Sequence, residues 1–185
     1  AEITMRGTPT HAAYPENGVN PSGALARLAL ELPVIADRVS EKYGCMTLTT
    51  IVGMRTGERA FGVAASEGKL WATLRSERTA ALNELTDSVI GTAKELAAEC
   101  GAECETELFD VFPATENNDA LLNNVKAALE KEGVEWEDLD VPFRWSEDFG
   151  HYTACVPAVF FVIGSGEETK PLHTAEDEYP DGLAY

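Results

Sequence analysis

Basic residues are scarce in this chain: 14 Lys and Arg stand against 32 Asp and Glu in 185 residues, a formal charge of −18. Most of such a surface repels a polyanion, so nucleic acid is excluded as a partner. Long apolar runs are also missing. The longest, "PAVFFVI" from Pro157 to Ile163, is far short of the roughly 20 residues a membrane-spanning helix needs. No signal-like segment opens the chain, so no membrane partner is expected. The four cysteines (Cys45, Cys100, Cys104, Cys155) form no CxxC pair and lie in or beside apolar, element-like segments. That pattern suits buried thiols in a reducing compartment, and a cytoplasmic location is expected. The chain starts "AEITMRG", without an initiator methionine and already in strand-like alternation, as a piece cut from something longer would.

What is present is enough apolar material, 44% of residues, for one sizeable core or two small ones without disulfides. The opening strand puts Ile3 and Met5 on one face. A loop rich in Gly, Pro and Asn, "GTPTHAAYPENGV", leads to a helix for which Asn20 is a cap and Pro21 the first residue. Leu25, Leu28, Leu32, Ile35 and Val39 form its apolar stripe, Pro33 is expected to kink or restart it, and Gly44 to stop it. Residues 45–53 and 69–75 read as strands, the second with Leu70, Ala72 and Leu74 on one face and Trp71, Thr73 and Arg75 on the other. A second helix runs from about Thr79 to Cys100 and ends at Gly101, and "ECETELFDVF" reads as the closing strand.

The order β-α-β-β-α-β over residues 1–113 predicts an α+β unit, a ferredoxin-like sandwich with two helices on one face of a four-stranded antiparallel sheet. "PATENN" then reads as a linker that also supplies Asn118 as the cap of a third helix, with Leu122, Val125 and Leu129 as its stripe and Gly133 as its stop. The run "AVFFVIG" is apolar on both alternations, the habit of a strand covered on both faces in an α/β sheet. Residues 114–185 therefore read as an incomplete piece of an α/β domain.

Four stretches can carry chemistry, and each has a plain alternative. His11 follows a strand in a Pro-rich loop and on its own is a solvated loop histidine. Arg75 ends a strand on the face away from the leucines, where a surface charge is ordinary. In "SEDFGHY", Glu147 and Asp148 follow Ser146, which is also how a capped helix begins, and His151 fits its surface. "GSG" (Gly164 to Gly166) followed by "PLH" puts His173 beyond the carboxyl end of the apolar strand, where α/β sheets place ligands.

Taken together, "GTPTHAAYPENGVNPSGAL", "AFGVAASEGKLWATLR", "FRWSEDFG" and "GSGEETKPLHTAEDEYPDGL" resemble, in order and spacing, the second half of the dinuclear-metal amidohydrolases of the M20 peptidase family, nearest its N-acyl-amino-acid amidohydrolase and aminoacylase branch. The resemblance implies that residues 1–113 are a lid and dimerisation domain and that residues 114–185 are the C-terminal segment of a metal-dependent catalytic domain. It implies hydrolysis of the amide bond of N-acyl amino acids or small peptides through a metal-activated water. In its terms His173 matches the last metal-ligating histidine, and His11 the lid histidine that polarises the scissile carbonyl in the partner subunit's site. Arg75 matches an arginine near the substrate carboxylate. Glu147 and Asp148 match the acidic motif before the last strand, catalytic residues that shape the site or stand behind the metal ligands rather than ligate, and Gly164 and Gly166 a substrate-binding turn. At about Gly62, where many relatives carry an asparagine, "RAFGVAA" offers no side-chain amide. The complete enzyme is implied to hold two divalent ions, zinc first, with manganese or cobalt as alternatives, and to be a homodimer. With the family's His-x-Asp pair, bridging carboxylate and Glu-Glu pair absent from the sequence, as well as the C-terminal helix after "YPDGL", the chain alone is expected to bind metal weakly or not at all and to be inactive. The competing reading is a stand-alone ferredoxin-like dimerisation or small-ligand-binding module without catalysis, for which residues 114–185 have no use.

Overall fold

The computed structural model describes residues 1–163. Along the chain, β1 (Glu2–Arg6) and the short β2 (Thr10–His11) precede a single turn of 3-10 helix at Pro15–Asn17 and the long helix α1 (Ser22–Tyr43). Then come β3 (Thr47–Thr56), the short β4 (Val63–Ala64), β5 (Glu67–Ser76), α2 (Thr79–Cys100), β6 (Glu103–Glu107), α3 (Asp119–Glu132) and the single-turn α4 (Gly150–Thr153). The four longer strands form one antiparallel sheet in the order β3-β5-β1-β6, and β2 pairs with β4 in a separate two-stranded ribbon. Each long helix thus connects two parallel strands with one antiparallel strand between them, the arrangement of two interleaved split β-α-β units.

The core lies between one face of this sheet and the two helices. Ile3 and Met5 of β1 and Leu70 and Ala72 of β5 are buried against Leu25, Leu28 and Leu32 of α1 and Leu85, Val89 and Ala93 of α2. These are the stripes visible in the sequence, because a 3.6-residue period on the helices and a 2-residue period on the strands bring both sets to a common plane. The helix stops also stand where expected: Gly44 and Gly101 take left-handed conformations, φ 59° and 78°, and close α1 and α2.

Some expectations are corrected. Helix α1 does not restart at Pro33 but runs through it. Pro33 is on the exposed side between buried Leu32 and Ile35, so the carbonyl left without an N–H partner can turn to water while packing holds both halves. Pro21 is the N-cap rather than the first helical residue, and Asn20 accepts from the Ser22 N–H just before it. Strand β6 ends at Glu107 because β1, its only neighbour among the described residues, runs out at Glu2; Asp110, with φ 50°, then turns the chain away. The expected two-sided strand "AVFFVIG" is not a strand over its described residues, 158–163, since no strand among the described residues pairs with it. Instead the Asn117 side-chain amide grips the backbone of Phe160, accepting from its N–H at 2.7 Å and donating to its carbonyl at 2.9 Å. Helix α3 forms with the expected Asn118 cap and Gly133 stop, yet none of its residues is buried.

Two glycines separate close packing from open space. A Cβ at Gly68 of β5 would stand 2.4 Å from a methyl of Leu25 and 2.8 Å from one of Thr56, whereas one at Gly91 in α2 would meet nothing within 4 Å. In urea unfolding, Gly68→Ala is expected to cost about 1–3 kcal/mol through overpacking, and Gly91→Ala to raise stability by roughly 0.5–1 kcal/mol through helix propensity. On the sheet's outer face, the Glu2 carboxylate receives Lys69 and the Trp71 indole N–H at 2.6 Å, and these two hydrogen bonds, Lys69 first, hold its pKa below the ordinary carboxylate range. The stability it contributes is complete at neutral pH and is lost as the pH falls through that lowered value. Glu2→Gln is therefore expected to lower the midpoint of thermal unfolding at pH 7 and to match the unsubstituted chain in strong acid, with calorimetry across pH as the measurement.

Candidate functional site

His11 is carried by the β2–β4 ribbon, where it stands opposite Val63 and Thr10 opposite Ala64. The ribbon springs from the end of the sheet at which Arg6 of β1 pairs with Glu67 of β5. Gly7 and Gly18 let this segment lie close: a Cβ on Gly7 would strike the Val19 carbonyl oxygen at 2.1 Å. His11 is exposed, with the Tyr14 ring 5.9 Å away, and on the facing segment Val63 and Phe61 are open to solvent, Phe61 to 88%. Its Nδ1 accepts from the Ala13 N–H at 3.0 Å. The Gly62 carbonyl accepts from Ala12 N–H at 3.0 Å, and the place of a Gly62 side chain is open space.

Arg75 stands at the other end of the sheet. From Glu67 to Arg75 strand β5 advances about 26 Å at roughly 3.3 Å per residue. Alternation along β5 turns Trp71, Thr73 and Arg75 to the outer face, where they line an open cleft of about 1770 Å³ whose opposite wall is made by residues after the sheet, among them Trp136, Phe143 and Phe160. One guanidinium nitrogen of Arg75, Nη1, donates to the Arg144 carbonyl at 3.2 Å and to the Ser146 hydroxyl at 3.0 Å. That grip brings the acidic motif to the rim: Glu147 is half-buried and lines the cleft, and Asp148 is exposed. Beside them the Phe143 and Trp145 rings stack at 3.9 Å.

The sequence-derived residues therefore fall into two groups. Arg75 and Glu147 line one cleft, joined through Ser146, with exposed Asp148 next in sequence, whereas His11 is at the far end of the same strand system. Gly164, Gly166 and His173 lie outside the described residues. Ser146 does not cap a helix, as its residue type suggests, but partners Arg75; α4 begins only at Gly150, and exposed His151 is edge-on to Phe112 at 6.0 Å. Asn117 was hidden inside an apparent linker, since nothing in "PATENN" distinguishes a side-chain clasp from a cap. Among the described residues no three His, Cys, Asp or Glu side chains come together as a metal site. Among them too, no helix is long and apolar enough to cross a membrane.

Known proteins resemble this chain along most of its length. The chain is 24% identical over 181 residues to an N-acetylcysteine deacetylase of Bacillus subtilis, a match covering 96% of this chain and 47% of that protein. It shares its fold with an aminobenzoyl-glutamate utilization protein from Klebsiella pneumoniae, with TM-score 0.70 and 22% identity, covering 83% of this chain and 38% of that one. It does so too with a dinuclear metal binding peptidase of the M20 family from Bacillus subtilis, with TM-score 0.56 and 18% identity over 85% of this chain and 39% of that one. The chain spans about half the length of the curated relatives it matches. Residues 7–184 match the description peptidase family M20/M25/M40, and the chain belongs to that family.

Proposed function

We propose that this chain supplies the lid (residues 1–113) and the C-terminal catalytic segment (residues 114–185) of a metal-dependent amidohydrolase or peptidase that hydrolyses the amide bond of N-acyl amino acids or small peptides. Family membership and the deacetylase relative support the reaction class. Among the described residues no three candidate ligands converge on a metal site, and the role the reading gives them is to bind and polarise substrate. Arg75, which lines the cleft and is held through Nη1, suits a substrate carboxylate. His11 suits a carbonyl oxygen. Glu147 and Asp148 shape the rim, and His173 is assigned to the metal by its match to the family motif.

The observation that carries the reading is that the ribbon bearing His11 leaves the sheet at the Glu67 end of β5, about 26 Å along that strand from Arg75 at roughly 3.3 Å per residue, a span no small substrate bridges in one copy of the chain. A homodimer removes the difficulty. Edge strand β6 carries Glu103, Glu105 and Glu107, which repel a second copy of themselves, whereas edge strand β3 exposes Ile51, Val52 and Met54. A bulge between Ile51 and Gly53 leaves Val52 out of the ladder, 65% exposed. Two β3 strands pairing antiparallel about a two-fold axis would put the His11 end of one lid on the same side as the Arg75 end of the other. The two groups would then serve one site in trans.

In the complete enzyme, His11→Ala is expected to lower kcat by roughly 100- to 1,000-fold, the loss of one donor aimed at transition-state charge, with metal content and KM little changed. His173→Ala is expected to lower metal occupancy and activity together. Steady-state kinetics on an N-acyl amino acid with metal analysis of both variants decides, and a His11→Ala enzyme that keeps its rate overturns the assignment. For the dimer, sedimentation velocity is expected to show a two-fold assembly that Val52→Asp weakens by on the order of tenfold or more, since each new carboxylate would face its symmetry mate at an apolar seam. A monomeric mass at high concentration would remove the trans arrangement.

A further inference from the structure

The turn that carries His11 leaves one of its groups free. Tyr14 N–H donates to the His11 carbonyl at 2.8 Å, Ala12 N–H to the Gly62 carbonyl at 3.0 Å, and the Thr10 hydroxyl to the Tyr14 carbonyl at 3.0 Å. The remaining amide, Ala13 N–H, donates to Nδ1 of the His11 ring at 3.0 Å. An amide N–H only donates, so Nδ1 is engaged as an acceptor and carries no proton. A neutral imidazole has one ring proton, which must then be on Nε2. Among the described residues Nε2 has no hydrogen-bond partner, and the side chain is exposed.

We infer that the Ala13 backbone amide is a positioning group: it holds His11 in the Nε2–H tautomer and aims the ring, so that His11 offers a single outward N–H to an acceptor oxygen. This rests on the reading of His11 as a carbonyl-polarising residue and specifies how that residue is prepared. While the turn is closed, Nδ1 is not free to ligate a metal, and the protonated Nε2 is not free to take a proton from water. A donor held in this way before substrate arrives needs no reorganisation when charge develops on the oxygen. The pattern is local, two residues apart, and resembles the Asx-turns in which a side-chain acceptor closes on a nearby amide.

The test is heteronuclear NMR on the uniformly 15N-labelled chain, at a pH where the ring is neutral. The long-range 1H–15N pattern of His11 is expected to be that of the Nε2–H tautomer, with a scalar coupling across the hydrogen bond between the Ala13 amide nitrogen and Nδ1. An Nδ1–H pattern, or a tautomer mixture without that coupling, overturns the inference. Ala13→Pro, which has no N–H, is expected to lose the coupling and release the second tautomer; should that variant fail to fold, the spectrum of the unsubstituted chain decides by itself. In the complete enzyme His11→Asn is expected to keep more of kcat than His11→Ala, because its side-chain oxygen can accept from Ala13 and leave an amide N–H pointing outward. Equal losses would remove the positioning role. The spectrum judges the tautomer and the His11→Ala rate judges the donor, so the two readings fail separately.

Discussion

The pairing of β1 with β5 is the contact on which the remaining structure depends. Glu2 aligns with Trp71 and Arg6 with Glu67, and this central pair offers Ile3, Met5, Leu70 and Ala72 to both helices at once. A one-residue slip would turn that apolar set to solvent and Trp71, Thr73 and Arg75 into the core, which the burial of a cation forbids. The same register therefore fixes the inner face, where stability resides, and the outer face, where the cleft opens. It also sets the two ends of the sheet apart. One end launches the ribbon that carries His11; the other delivers Arg75 to Ser146.

Charge decides much of what the fold does at its margins. With more than twice as many acidic as basic residues, the chain uses its cations to join elements: Arg6 reaches Glu67 on one side and Glu105 on the other, and Lys42 reaches Glu84 between α1 and α2. These pairs are exposed and contribute little singly. Their effect is to fix neighbouring strands and helices laterally in a chain whose like charges otherwise repel. Glu84 also accepts from the Tyr43 hydroxyl, and its pKa is held low by Lys42 first and Tyr43 second.

The parts of the fold legible in the sequence are those written by a repeating period. The stripes of α1 and α2, the alternation of β5 and the glycine stops need only local geometry to be read. What could not be read depends on partners distant in sequence. Pro33 breaks an isolated helix, but Leu32 and Ile35 are anchored on the sheet. "AVFFVIG" has the composition of a central strand, yet a strand exists only where another pairs with it. The β2–β4 ribbon is two residues on each side, too short for any alternation to show, and it is made by the contact between the His11 loop and residues 60–64. Of the candidate site, residue types and order were visible in the family motifs. That His11 and Arg75 belong to opposite ends of β5 was not, because it follows from where the β2–β4 ribbon leaves the sheet.

The clasp of Asn117 on Phe160 has a thermodynamic consequence. Its amide occupies one N–H and one C=O of an extended segment, the same two groups a neighbouring strand would take. A strand arriving there would displace two hydrogen bonds and replace them with two of the same kind, and the freed amide would return to water. The exchange is close to neutral in hydrogen bonding. The free energy for joining a sheet at this point must therefore come from covering Phe161, Val162 and Ile163, all exposed, and should carry the heat-capacity signature of apolar burial rather than of polar pairing.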